Sequence, residues 1–365
     1  MNTATRLHVL DGLRGVAAFV VLLHHALLTL PNLAAAYFGG APQGSLAVLF
    51  AYTPLHLIWA GTEAVYLFFI LSGFVLVRMA LRTGFSYESY LSSRIVRIYV
   101  PVIAAVFLGW VLFQIVPRVG GGSSPWIQVH PLQYPVPVAI QDALLVSGTS
   151  SAITPLWSLT WEILFSLALP VYVVVARRLN VFIVIVGAIL LCWAGSWLQI
   201  QALMYLPMFA IGSALAVKIG AVSVATGNPA HAGRFANVKW AVLMVAALLL
   251  VSVRWMLGGV ADSTLPVILL GLTLLMVVVL KWRPLQRILS SPPLLWAGKI
   301  SFSLYLVHEP ILVAASYLFP DSRAAMAAAA LGSIAVAWLF WFVIERNAHL
   351  LSKRIRSREL AALPS

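Results

Sequence analysis

The chain has 365 residues, of which 62% are apolar and only 9% charged, with a mean hydropathy of +0.99. That balance excludes an ordinary soluble domain. The formal charge of +13, from 23 Lys and Arg against 10 Asp and Glu, invites a nucleic-acid reading, but the placement of the cations argues for membrane topology instead.

In chain order, ten apolar stretches approach the roughly 20 residues that a spanning helix needs: about 8–30, 57–79, 99–117, 155–176, 181–198, 202–217, 239–257, 264–280, 299–319 and 324–344. Lipid-exposed backbone must satisfy its own hydrogen bonds, and long continuous apolar runs suit helices rather than an alternating barrel pattern. The expected fold is all-α and polytopic, with about ten transmembrane helices. Residues 1–350 form the membrane domain and 351–365 a basic tail. Leu46 to Tyr52 is apolar but too short to span, which fits a re-entrant or interfacial piece.

With the N-terminus in the cytoplasm, only Arg118, Arg254 and Arg323 fall on or near the outer side, and the other 20 of the 23 cations lie inside or within the first helix. This positive-inside pattern places both termini in the cytoplasm. It also leaves some attraction to anionic lipid headgroups and no case for nucleic acid. A single cysteine, Cys192, excludes an intrachain disulfide and a Cys-cluster metal site. The first stretch is not read as a cleaved leader, because Asp11, Arg14, His24 and His25 interrupt it.

Two stretches lie outside the membrane. Residues 118–154, rich in Gly, Ser and Pro, read best as a solvated connector, with a cap over the external mouth as the functional alternative. Residues 219–238 form a cytoplasmic loop around Asn228-Pro229. No soluble catalytic domain is apparent at either end, so the chemistry is expected within the helix bundle.

Arg14 and His25 lie inside the first apolar stretch, where ionisable groups are costly and mark function by default. Eleven positions are about 1100° of helix, some 20° past three full turns, with roughly 16 Å of axial rise. The two therefore share a face, as a cation near the inner end and a titratable base near the outer end. His24 points about 100° away and is given a structural role. Glu63 opens the second stretch and Glu162 lies inside the fourth; a carboxylate at that depth needs an Arg or His partner. His308 sits near the middle of the ninth stretch. Arg94 and Arg97, three apart, face the same way on a helix, and guanidinium forks suit phosphate oxygens. In Phe68 to Phe74, the small Ser72 and Gly73 let another helix approach closely, which is packing rather than chemistry.

Taken in order, these segments resemble membrane acyltransferase family 3. Arg14, ten residues, then His25 is similar to that family's first-helix hallmark, and Leu10 to Gly15 resembles its opening phrase. Phe68 to Phe74, Arg94-x-x-Arg97 with Pro101, Leu156 to Phe165, and Gly298 to His308 resemble its later motifs. Ser93 departs from an arginine common there. The resemblance covers about residues 7–345.

It implies transfer of an acyl group, often acetyl from acetyl-CoA, to a hydroxyl of a sugar, glycan, glycolipid or glycoside, in a bacterial inner membrane. In that picture acyl-CoA is the donor substrate and no metal takes part. Arg94 and Arg97 hold the donor's phosphates, the pantetheine arm passes Arg14, and His25 acts as general base. Glu162, or Glu63 after it, orients the imidazole or completes a proton path. Tyr305 or a backbone N–H donates to the oxyanion, and Glu63, Tyr305 and His308 line the substrate site. The alternative is a proton-coupled secondary transporter using Arg14, His25 and Glu162 as a relay, although internal symmetry and paired broken helices are not evident.

Overall fold

The structure, a computed structural model, describes residues 8–119, 124–146, 148–221, 234–259 and 262–362. Asn228 and Pro229 of the expected cytoplasmic loop and the last three residues of the tail lie outside that range. Every described regular element is helical: α1 (His8–Leu28), α2 (Pro31–Ala34), α3 (Ser45–Tyr52), α4 (Gly61–Ala80), α5 (Tyr87–Ile115), α6 (Pro125–Gln128), α7 (Val136–Leu144) and α8 (Leu156–Arg178). They are followed by α9 (Val181–Trp197), α10 (Gln201–Ala221), α11 (Arg234–Met256), α12 (Leu265–Lys281), α13 (Arg283–Leu289), α14 (Pro292–Leu318), α15 (Arg323–Phe340) and α16 (Arg346–Ala362).

Each of the ten apolar stretches is a helix. Among the described residues, eight helices are long and apolar enough to cross a membrane, or nine if α12 and α13, bent by 90°, form one broken span. The fifth stretch, α9, has 17 residues and is slightly shorter than a full span. Local chemistry sets several boundaries. Ser86 Oγ accepts the Ser89 N–H at the start of α5, Asn180 Oδ1 accepts the Phe182 N–H at α9, and Ser322 Oγ accepts the Ala325 N–H at α15. Each cap satisfies one of the amides that a first turn leaves unpaired.

The chain divides into two compact units. The first comprises Met1–Val20, Tyr52–Leu81 and Ala168–Lys299. Lipid tails are as apolar as leucine, so helices here associate through close packing of small residues. A Cβ on Gly73 would collide with the Phe209 carbonyl, and one on Gly212 with the Ile70 carbonyl. Those reciprocal gaps let α4 and α10 meet backbone to backbone, as the small Ser72-Gly73 pair predicts. Gly195 does the same for α9 against Met204, and Gly271 for α12 against Ala247. Gly12 lies against the Leu289 carbonyl, Gly15 against Ala297, and Gly298 against the Asp11 carbonyl. The glycines of the opening phrase are therefore packing residues of α1 against the α13–α14 junction.

The second unit comprises Val21–Ala51, Arg82–Leu167 and Ile300–Ser365. Its axis is α5, which packs against α7 and along α16; Tyr99 OH donates to the Leu144 carbonyl at 2.9 Å. Between α15 and α16 the chain makes a π-helical turn, Trp341–Glu345. There the buried Glu345 accepts a 2.6 Å hydrogen bond from Ser303 Oγ of α14. The connector reading of 118–154 is corrected here. Ile127, Asp142 and Ile153 are fully buried, and Trp126, His130 and Tyr134 nearly so. The described part of the stretch folds because two short helices, α6 and α7, and a buried carboxylate give it a core of its own. Asp142 accepts Tyr134 OH at 2.7 Å, Ser150 N–H at 2.6 Å and Ser150 OH at 2.6 Å.

Candidate active site

His25 of α1 and His308 of α14 come together in the second unit, with His25 Nδ1 2.7 Å from His308 Nε2. The proton positions follow from the next partner along. His308 Nδ1 is 2.7 Å from the Leu304 carbonyl, which accepts but never donates, so Nδ1 carries the hydrogen. In a neutral imidazole Nε2 is then a lone pair. His25 Nδ1–H therefore donates to it, which leaves His25 Nε2 unprotonated. That nitrogen has no hydrogen-bond partner among the described residues. His25 is half-buried, whereas His308 is fully buried. A backbone carbonyl thus fixes the tautomer of a base two rings away.

The folded loop reaches the same ring. Trp126 of α6 stacks on His25 with ring centroids 5.3 Å apart and planes 13° apart. Ser124 caps α6 by accepting the Ile127 N–H, and Pro125 opens it. The Trp126 carbonyl accepts His130 Nδ1–H at 2.9 Å, and His130 Nε2 lies 2.7 Å from Glu309 Oε1. Glu309 also accepts the Thr154 N–H at 3.1 Å and the Thr154 OH at 2.7 Å. His130 Nε2, the Thr154 N–H and the Thr154 OH converge on this carboxyl group, and the other nitrogen of His130 donates to the Trp126 carbonyl, so every polar atom of the pair has a partner. Both side chains are wholly buried. Consecutive residues of α14, His308 and Glu309, thus hold His25 from one side and the Trp126 loop from the other.

Outside the spanning segments, burial displaces the proton affinity of Tyr134 and Arg118. Burial, and after it the hydrogen bond and charge of Asp142, push the Tyr134 phenol far up, so it stays a donor to Asp142. Burial brings the Arg118 guanidinium down to about 10, with Tyr317 and Glu309 opposing the shift. Arg118 lies 3.3 Å from the Phe113 ring centroid and donates to the Pro131 carbonyl at 3.3 Å.

Arg94 and Glu162 form a pair of their own. Arg94 Nη2 donates to Glu162 Oε2 at 2.7 Å, and Arg94 Nε donates to Ser166 Oγ at 3.3 Å. Glu162 therefore serves a guanidinium here, whereas the group that holds the His25 ring is His308. Arg97, three residues on, is exposed. Tyr305 OH lies 2.8 Å from Ser158 Oγ, and Ser158 donates to the Pro155 carbonyl at 3.0 Å. The tyrosine proton is thereby directed at Ser158 in this conformation. His24 is buried with its ring edge-on to Tyr37.

In the first unit, Arg14 is half-buried and makes no hydrogen bond or ion pair among the described residues. Glu63 is buried, and its Oε1 accepts Trp255 Nε1–H at 3.1 Å. Its Oε2 has no partner among the described residues, nor has Arg254 Nε. His56 stacks on Trp255 at 4.0 Å. Among the described residues no group of three or more His, Cys, Asp or Glu side chains converges on a metal position.

A family model described as an acyltransferase domain matches residues 7–342. The chain belongs to acyltransferase family 3. Its resemblance on five motifs in order is thus matched along nearly the whole length. A relative, the acyltransferase MdmB of Streptomyces mycarofaciens, is 31% identical over 178 residues, 48% of this chain and 41% of MdmB. The chain thus aligns with less than half of that relative's length. No solved structure matches.

His130 and Glu309 are the site residues that sequence reasoning missed. Glu309 carried a usable signal, since a carboxylate inside an apolar span marks function as His308 beside it does. His130 carried none, because its stretch reads as a connector. The first-helix hallmark and the late motif name His25 and His308, which the structure brings together, although the sequence reading had given His308 to the substrate side and the orienting role to a carboxylate.

Proposed function

We propose that this membrane acyltransferase-family chain moves an acyl group, acetyl foremost, from cytoplasmic acyl-CoA to a hydroxyl of a sugar, glycan or glycolipid in a bacterial inner membrane. The observation that carries the proposal is the Leu304–His308–His25 chain of hydrogen bonds, which leaves His25 Nε2 as a lone pair. In the reaction His25 Nε2 takes the acceptor's hydroxyl proton as the oxygen attacks the thioester carbonyl. The C–S bond then breaks, and the proton passes from His25 to the departing CoA thiolate. Throughout, His25 Nδ1–H stays on His308, which stabilises the transient imidazolium and holds the ring in place.

The donor's phosphates are assigned to exposed Arg97, with Arg94 beside it on α5. Arg94 is held by Glu162 and Ser166, so Glu162 enters as a positioning residue for the donor site. Arg14, a cation on the same helix as His25, is assigned to the donor's path. Tyr305 keeps a substrate-side role, able to turn from Ser158 toward an oxyanion; His308, with both ring nitrogens engaged, positions His25 instead, and Glu63 stays with Trp255 in the first unit. The experiment is release of CoA from radiolabelled acetyl-CoA by the full chain in nanodiscs, with and without a crude glycan and glycolipid extract. His25→Ala is expected to lower acceptor-dependent turnover by about 10²–10⁴, and Arg97→Ala to raise the donor KM with less effect on kcat. Undiminished turnover in His25→Ala overturns the assignment of the base. Absence of any acyl-CoA binding or consumption overturns the transferase reading.

A further inference from the structure

A closed circuit of contacts surrounds His25, drawn from three parts of the second unit. His25 Nδ1 and His308 Nε2 are 2.7 Å apart, while the ring centroids are 5.0 Å apart and the planes differ by 17°. That is nearly the greatest centroid separation such a bond permits, so the two imidazoles lie edge to edge in almost one plane. Trp126 is within 13° of parallel to His25 at 5.3 Å. Rings so parallel and so close cannot lie side by side, so the indole covers a face of the imidazole. One edge and one face of the base are closed, and Nε2 stands at an open edge. Imidazole χ2 is a broad torsion. A bond to one nitrogen still lets the ring tilt about that bond, whereas a flat cover on its face does not.

Trp126 is held in turn. Its carbonyl accepts His130 Nδ1–H at 2.9 Å, and the His130 ring stands edge-on to the indole, 4.7 Å away at 81°. His130 Nε2 lies 2.7 Å from Glu309 Oε1, and Glu309 follows His308 in α14. The circuit His25, His308, Glu309, His130, Trp126 therefore closes on itself, with one peptide bond joining its two members on α14. All but His25 are buried, and His25 is half-buried. A helix of four residues such as α6 is far too short to be stable by itself, so the pose of Trp126 depends on what His130 and Glu309 hold. When His25 takes a proton, positive charge develops against the indole face, and a cation–π contact away from water favours that charged form.

We infer that Trp126 is a positioning residue for the base, and that His130 and Glu309 are the latch that keeps it on the His25 ring. The inference rests on the transferase reading for its effect on catalysis, but not for the restraint on the ring. It is tested with the full chain in nanodiscs. Trp126→Leu removes the flat face, and Trp126→Phe restores an aromatic one. His130→Gln reaches Glu309 with its amide but lacks the donor to the Trp126 carbonyl. Tyr134→Phe, which removes a hydrogen bond to Asp142 elsewhere in the same segment, is the control. Two quantities are read. One is kcat and KM for acetyl-CoA with the crude glycan and glycolipid extract. The other is the rate at which diethyl pyrocarbonate modifies His25, followed by peptide mass spectrometry.

Trp126→Leu is expected to lower kcat about tenfold with the acetyl-CoA KM unmoved, and to speed modification of His25 roughly fivefold as the face is uncovered. Trp126→Phe is expected to recover most of both effects. His130→Gln is expected to follow Trp126→Leu, and the double variant to be no worse than Trp126→Leu alone, because His130 acts through the indole. Tyr134→Phe is expected to match wild type in both. An unchanged modification rate in Trp126→Leu would overturn the inference, as would a loss in Tyr134→Phe equal to that in Trp126→Leu. Additive losses in the double variant would overturn the latch. Faster modification of His25 in a chain that transfers no acyl group would uphold the restraint and count against the transferase reading instead.

Discussion

At the scale of single residues, the site is governed by which atoms hold protons. His308 acts on His25 by accepting, so its replacement should be judged by whether an acceptor remains. His308→Ala leaves His25 Nδ1–H without its partner and frees the ring to rotate or change tautomer. It is expected to lower kcat roughly 10–100-fold, by analogy with the loss of groups that orient functional histidines, with little change in donor KM. His308→Gln offers an amide oxygen and is expected to recover much of that loss. Equal damage from both variants would mean that His308 contributes bulk rather than a lone pair. The Glu309–His130 pair gives a second contrast. Removing one partner of a buried pair typically costs about 3–5 kcal/mol, so Glu309→Ala should lower the thermal midpoint in detergent sharply. In Glu309→Gln the amide oxygen at the Oε2 position still accepts the Thr154 OH, and the NH2 in place of Oε1 can donate to a neutral His130 Nε2 but leaves the Thr154 N–H without its acceptor. That variant is expected to fall between wild type and Glu309→Ala in thermal midpoint. His25 and His308 were both legible because each interrupts an apolar run. Their bond was not, because a sequence places each on a helix without saying which helices meet. Glu162 illustrates the same gap: its need for a partner was evident, but Arg94 rather than a histidine meets it.

At the scale of elements, the glycines separate contact from composition. The apolar runs gave away the helices, but nearly uniform apolar helices carry no readable face, so the crossings had to come from the structure. Gly73 and Gly212 stand where α4 and α10 touch through backbone. A leucine at either is expected to abolish monodisperse elution from detergent, because the clash is with carbonyl groups that cannot swing aside. Gly187 and Gly332 have open space where a Cβ would go. Alanine at either should be neutral or stabilising, by up to about 1 kcal/mol from helix propensity. Thermal midpoints of the four variants check the contrast, and a loss at Gly187 equal to that at Gly73 would sink it. The loop before α8 was the element least legible in sequence. Its Gly, Ser and Pro content matches a solvated connector, whereas a buried Asp142 with three donors supplies the core that composition conceals.

At the scale of the whole molecule, the distribution of cations bears on which short helices cross. Both α9 and α12 have 17 residues, about 26 Å of helix against a hydrocarbon core of about 30 Å. If α9 did not cross, Lys218 at the end of α10 would fall on the side opposite Arg177 and Arg178 at the end of α8. If α12 did not, Lys281 would lie on the side of Arg254. Positive-inside bias therefore favours ten crossings, and a mismatch of a few ångströms is cheaply absorbed. On the proposed transferase reading, that topology would set donor and acceptor apart. Arg97 stands 18 residues before the end of α5, about 27 Å below its outer terminus, whereas His25 lies three residues, about 5 Å, below that of α1. A long donor such as acyl-CoA spans such an interval, but a compact acyl phosphate does not. The expectation is transfer across the bilayer, with the donor on the face bearing Arg97 and α16 and the acceptor on the face bearing the Asp321 turn. Inside-out vesicles loaded with a glycoside and supplied with external acetyl-CoA should acylate it, and right-side-out vesicles given both reagents outside should not. Transfer with both substrates confined to one face would show instead that the site opens to that face for donor and acceptor alike.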